Sequence, residues 1–353
     1  MWKANVLLLA CCASMASAAS MDCYDVVWES PSKDASGQMP LGNGDIAAGV
    51  YAIEDGDLYL LLSKNDAFNY NGDIFKTGRA KISLSPNPFA KGRPFKQTLD
   101  LTTGSILIEA DGTTIRVWAD ANKPVYHVQI DSPEDVSVSA TSDLWERIDG
   151  CPHNCTKEPI DPPTQDVRLE RNGKIVWYFA VGDRSVCPTE LAFYDVEHMA
   201  SEHPDPYRHN TFGNLLESPD LELKDGVLSG SGKTFDIRIH ALCAQEPDIN
   251  KWIERLEAQA DQPMDVAADW AAHCAWWSEF WNRSWITVTD NTLPAEQRGQ
   301  LSHEGYTRFR EVIDGGALVA QSYNVFRYIM ACQSRGRIQA KFNGGLFTLP
   351  LRY

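Results

Sequence analysis

Beyond its opening residues the sequence has no apolar run near the roughly 20 residues that a membrane-crossing helix requires, so no helical span is expected in the body of the chain. It is also poor in positive charge. Lys+Arg 32 against Asp+Glu 48 give a formal net charge of -16, which repels a phosphate backbone and excludes nucleic acid as the expected partner. An anionic membrane surface is disfavoured for the same reason. Catalytic signatures are missing too: there is no G-x-S-x-G elbow and no H-E-x-x-H helix. Metal-ligand spacing is scarce. Cys151-x-x-x-Cys155 encloses His153, but no second pair accompanies it, and a local disulfide fits better than half a zinc site. His198, His203 and His209 stand five and six apart in a Pro-broken loop, which matches no helical pair of ligands. No metal and no cofactor is expected.

What is present is the composition of a folded globular chain, 43% hydrophobic and 23% charged over 353 residues, enough for two ordinary domains. The start, "MWKANVLLLACCASMASAAS", has one Lys, an apolar run from Val6 to Ala13 and an Ala16-Ser17-Ala18 cleavage site. It reads as a signal peptide over 1–18, with Leu8-Leu9-Ala10-Cys11 as a rival lipoprotein box that would lipidate Cys11. Both readings place the chain outside the cytoplasm, secreted or periplasmic, with no membrane attachment unless Cys11 is lipidated. In such a compartment Cys23, Cys151, Cys155, Cys187, Cys243, Cys274 and Cys332 are disulfide candidates, and their odd number leaves at least one thiol free.

Gly42-Asn43-Gly44-Asp45-Ile46-Ala47 satisfies the G-x-G-x-x-A fingerprint of a dinucleotide-binding turn. That turn needs a helix after it, because the pyrophosphate rests on the helix N-terminus. Here "GVYAIEDGDLYLLLS" follows, two strand-like runs around Asp55-Gly56, so the glycines are expected to serve a tight turn into a strand. Similarly, "DGVLSGSGKT" ends like a phosphate-binding loop but has Val227 where that loop needs Gly, and it reads as a hairpin turn. Further hairpin turns are expected at Thr103-Gly104, Asp111-Gly112, Asn172-Gly173 and Asp225-Gly226. Such spacing from Cys23 to about Cys243, with no convincing helical stripe, predicts a large antiparallel β-sandwich.

After Glu246 the period becomes helical. "INKWIERLEAQA" puts Trp252, Ile253, Leu256 and Ala260 on one face, and Val266, Trp270, His273, Trp277 and Trp281 recur at three- and four-residue steps in the next helix. A packing face explains that stripe better than a sugar-stacking platform. "SWITVTD" reads as a strand, and Ala317–Ser334 as a third helix with Leu318, Val325, Phe326, Ile329 and Met330 inward. The expected division is 1–18 signal peptide, 19–246 sandwich, 247–300 helical linker with one strand, and 301–353 a last helix and loop. One or two helices cannot bury their own faces unless the sandwich or a partner covers them.

Four ordered blocks carry a family resemblance: "W…PLGNGDIAAGVY…LLLSKNDAF", "GRAKISLSPNPF…QTLDLTTGSILIE", "WWSEFWNRSWI" and "YIMACQSRGRIQAKFNGGLFT". The chain resembles the N-terminal domain of secreted glycoside hydrolases related to the family 95 α-L-fucosidases, within the six-hairpin glycosidase superfamily, in the branch labelled DUF5703. Where that family reads P-[LI]-G-N-G-x-[LI]-G and then Asn-Glu-x-x-x-Trp, this sequence has Asp45-Ile46-Ala47 and Asn65-Asp66-Ala67-Phe68. The resemblance implies a large β-sandwich (a supersandwich), a helical linker and the start of an (α/α) toroid, in which two carboxyl groups, about 6.5–9.5 Å apart for inversion, flank the glycosidic bond. Those carboxylates belong to the toroid. The resemblance therefore implies a non-catalytic portion of a glycan-acting hydrolase, with 301–353 only the opening of a truncated toroid and a separate chain carrying the remainder as one conceivable partner. Asn43, Asp66 and Asn343 are the implied substrate-binding candidates. The rival expectation is a stand-alone extracellular glycan-binding or structural module without hydrolase activity.

Overall fold

The computed structural model describes residues 21–143, 167–300, 313–339 and 346–347. Asn343, the first twenty residues with Cys11, and the Cys151–Cys155 pair lie outside the described residues. The strands are β1 (Val26–Trp28), β2 (Met39–Gly42), β3 (Ile46–Ala52), β4 (Asp57–Phe68), β5 (Ile74–Ser85), β6 (Phe95–Asp100), β7 (Ser105–Ala110), β8 (Thr113–Ala119), β9 (Val125–Asp143), β10 (Val167–Arg171), β11 (Lys174–Ala180), β12 (Asn210–Glu217), β13 (Glu222–Lys224) and β14 (Val227–Gln245). The helices are α1 (Cys187–Phe193), α2 (Ile249–Ala260), α3 (Val266–Arg283) and α4 (Gly315–Gln333). The chain is mainly β, with its longer helices after the strands, as the change of period predicts.

All named strands belong to one antiparallel network that folds over on itself. One branch runs β1-β6-β7-β8-β9-β14-β12-β11-β10, and the other, β2-β3-β4-β5, joins β9 as well. The long strands β9 and β14 make the fold-over possible. The first half of β9 pairs with β8 and its second half with β5, while β14 follows it on the other edge through a register shift between Gly232 and Thr234. A bulge bends both strands together, so one pair serves two layers. Alternation then fills the space between: Val50, Leu60, Leu62 and Ile82 from one layer meet Ile106, Ile115, Val128 and Ile239 from the other in a single core. The hairpin turns form where Asx-Gly stands. Asp111 and Gly112, Asn172 and Gly173, and Asp225 and Gly226 all have positive φ, as a two-residue turn matching strand twist requires.

Three expectations need correction. Residues 284–290 form no strand, because the backbone N–H and C=O of Ile286 are taken by the side chain of Asn324 instead of a neighbouring strand. α1 is a short helix inside the β region; none of its residues is buried, so it leaves no apolar stripe to read. Cys23, Cys187, Cys243, Cys274 and Cys332 are all free thiols, so none of the described cysteines forms a bridge. Cys332 is fully enclosed, and burial pushes its thiol up to about 12, where it is inert.

Candidate functional site at the junction of sandwich and helices

Two helices dock on the sandwich through polar seats. α3 buries His273, Trp277 and Trp281. His273 accepts a hydrogen bond at Nδ1 from the backbone N–H of Ala121 (3.1 Å) and donates from Nε2 to the Thr103 carbonyl (2.7 Å), which defines a neutral tautomer. Burial pushes its pKa down to about 4, in agreement. Trp281 donates to the Leu101 carbonyl at 2.6 Å. Gly104, at φ +60, leaves the space that the Trp277 indole fills, since a Cβ there would overlap the ring. Packing therefore accounts for these rings.

α4 starts at an Asp314 cap that accepts from the backbone of Ala317, Asp290 and Gly299. Asn324 then holds Ile286, and Tyr328 donates to the Pro40 carbonyl at 2.9 Å. The inward face is Ala317, Ala320, Asn324, Tyr328, Ala331 and Cys332. This corrects the expected one in part: Val325 and Ile329 are half-buried against the core as expected, whereas Phe326 is 60% exposed and Met330 41% exposed. The seat offers hydrogen-bonding groups to Asn324 and Tyr328, and small residues beside them allow close approach. With Trp276, Phe280, Tyr323 and Arg327, the outward residues form an open groove of ≈ 460 Å³ between α3 and α4.

The C-terminal end of α4 explains Gly42-Asn43-Gly44. Gly44, at φ +91, donates its N–H to the Cys332 carbonyl (2.8 Å), and a Cβ on it would strike Arg335. A Cβ on Gly42 would lie 2.6 Å from the same carbonyl. Asn43 is buried with both ends of its amide in use. Its Oδ1 accepts from the N–H groups of Asp45 and Ile46 (2.9 Å each), and its Nδ2 donates to the carbonyls of Asp120 (2.6 Å) and Lys123 (3.0 Å). The turn is thereby riveted to the connection between β8 and β9.

Beside it sits an ion cluster. Lys64 Nζ lies 2.6 Å from Asp45 and 2.9 Å from Asp66, with Arg337 3.8 Å from the other oxygen of Asp66. Burial alone would lower the Lys64 pKa, but the two carboxylates outweigh it and hold the ammonium above its ordinary value. Asn65 accepts from the Ile338 N–H (2.7 Å), Ser63 donates to the Leu346 carbonyl, and a Cβ on Gly336 would meet Asn65. The structure thus brings Asn43 and Asp66 to one seat under residues 335–338. Asn65, which the sequence analysis met only as part of the Asn65-Asp66-Ala67-Phe68 block, belongs with them, as do Lys64 and Arg335, which sequence reasoning did not single out; the unusual Ser-Lys-Asn-Asp inside a buried strand was the available signal.

Fold and site together define a class: a two-layer antiparallel sandwich whose following helices are fixed by a preformed polar seat. Residues 27–286 match the family DUF5703_N, described as "Domain of unknown function (DUF5703)", and the chain belongs to that family. Among solved structures, it is similar to a "Putative kojibiose phosphorylase from human microbiome", with 11% identity, TM-score 0.37, and coverage of 77% of this chain and 39% of that one. A bacterial glucoamylase complexed with acarbose gives 9%, 0.26, 75% and 39%. The matched part of the chain therefore covers 39% of the length of each of these structures. No curated protein matches it.

Proposed function

We propose that this chain is the N-terminal, non-catalytic portion of an exported glycan-acting hydrolase, and that its sandwich (19–246) and linker (247–300) seat a helical catalytic unit opened by 301–353. The observation that carries this reading is the outward face of α4. Val319, Tyr323, Phe326 and Met330 are exposed on a helix whose other face is already anchored, a pattern suited to a second helical layer. The choice of glycans as substrate class is supported by the four sequence blocks shared with hydrolases related to family 95. In this reading Asn43 and Asp66 act at one remove, fixing the seat from which the chain runs to Asn343, the residue proposed to reach sugar.

Hydrolysis tests it. The purified 353-residue chain should release no sugar from a panel of aryl glycosides and should gain that activity when combined with a helical unit encoded with it. Release by the chain alone would overturn the proposal. Failure of any co-encoded helical unit to restore activity would favour the stand-alone module instead.

A further inference from the structure

The outer face of the sandwich carries a second arrangement, whose lining shares no residue with the α4 seat. Strands β8, β9 and β14 lie side by side, and their register aligns Arg116 with Gln129 and Asp236, and Thr114 with Asp131 and Thr234. These positions alternate with the core residues Ile115, Val117, Val128, Ile130, Ile237 and Ile239, so they face away from the interior. Both rows line an open groove of ≈ 510 Å³. Three strands at about 4.8 Å spacing make each row roughly 10 Å across, the span of two sugar rings.

Several polar groups in this groove are prepared but unused. The Arg116 guanidinium lies 4.8 Å from the centroid of the Trp270 ring, which fixes its position, yet it makes no ion pair among the described residues. Gln129 makes no side-chain hydrogen bond among them either. Asp236 gives Oδ2 to Arg238, whereas its Oδ1 is buried without a partner. A buried carboxylate oxygen with no donor is costly, and a ligand hydroxyl would satisfy it. The row therefore presents a donor, an amide able to donate and accept, and an acceptor, in sequence across the sheet. The next row across the sheet is Trp118, His127 and Arg238, in which His127 is fully buried against Trp118 at 4.0 Å and burial pushes its pKa down to about 3, so the ring is neutral.

We infer that this groove is a binding site for a neutral oligosaccharide, at least a disaccharide in length. Its lining sets one cation, Arg116, against three carboxylates, Asp131, Asp220 and Asp236, a balance that repels an anion and suits a neutral polyol. The acids of the groove do not converge as a metal-binding group among the described residues. The choice of ligand class rests on the glycan-related reading above, but the site's geometry does not.

The test is a glycan array followed by calorimetric titration of the best neutral oligosaccharide on the 353-residue chain, with Gln129→Ala and Arg116→Ala compared to the parent and with Phe326→Ser as a control on the α4 face. Binding should weaken roughly tenfold or more in both groove variants and stay unchanged in the control, while thermal melting confirms that each variant is folded. The Gln129 side chain makes no hydrogen bond among the described residues, so its variant remains informative should Arg116→Ala destabilise the fold. Absence of any neutral ligand, binding confined to anionic glycans, or affinity within twofold in Gln129→Ala would each overturn the inference. A silent array beside a hydrolase activity restored by the helical unit defeats this site and leaves the proposed function standing. Groove-dependent binding without any restorable activity does the reverse.

Discussion

α3 and α4 are neighbouring helices of nearly equal length on the same sandwich, and they bury opposite kinds of residue. α3 turns its largest side chains inward, Trp277 and Trp281 with His273 one turn before them, and its stripe is what a helical period predicts. α4 turns small and polar residues inward and leaves Val319 and Phe326 59% and 60% exposed. The two meet where the Trp277 ring stacks on Tyr328 at 5.1 Å. The difference teaches that apolarity chose the face of α3, whereas hydrogen bonds from Asn324, Tyr328 and Gln321 chose the face of α4. A buried backbone group without a partner costs as much as a good deal of apolar contact, so a seat with open carbonyls selects donors.

The largest expected effect breaks the α3 side. Trp277→Ala removes the ring that fills the space above Gly104, and chemical denaturation should show a loss of about 3–5 kcal/mol. Asn324→Ala breaks the α4 side by stranding both the N–H and C=O of Ile286, with about 1–3 kcal/mol lost and faster amide exchange along α4.

A third prediction concerns Asp25, which joins the two helices. Its carboxylate accepts from the Leu101 N–H, the Leu101 carbonyl accepts from Trp281, and the Asp25 carbonyl faces Gln321. Burial raises the Asp25 pKa from 3.8 to about 7. The folded state then holds a proton that the unfolded chain gives up, so this group's contribution falls as pH rises from 3.8 to about 7. Asp25→Asn should therefore gain stability relative to the parent at pH 8 compared with pH 4, read from denaturation midpoints at both. The histidines act in the opposite sense. Since burial holds His273 at about 4, below its ordinary 6.5, its contribution falls as pH drops through that window, and His273→Gln should flatten that acid limb.

The smallest effect sharpens the contrast. Phe326→Ser alters the outward face of α4 and should change the stability of this chain by no more than about 0.5 kcal/mol, while weakening its proposed association with a helical catalytic unit.

Much of the fold was legible because its signals are local. Asn172-Gly173 and Asp225-Gly226 dictate φ > 0 wherever the chain runs, and alternation in "TTIRVWA" dictates which residues share a sheet face. The candidate site was legible only in outline. The glycines of Gly42-Asn43-Gly44 announced a turn, but not that α4 would press the Cys332 carbonyl of its last turn against it. Likewise, the polar members of β8, β9 and β14 could be read as outward-facing, while their alignment into rows depends on the register of strands far apart in the chain.

The sequence by itself determined a mainly β chain, the turns that divide its strands, the point at which helices begin, and the family to which the chain belongs. Tertiary structure alone decided that β9 and β14 serve two layers, that Asn43 ties its turn to Asp120 and Lys123, and that α4 faces inward with Asn324 rather than Phe326. The physical reason is one of range. Backbone preference and hydrophobic period are set by adjacent residues, but which carbonyl awaits a donor is fixed only when distant segments have closed around it.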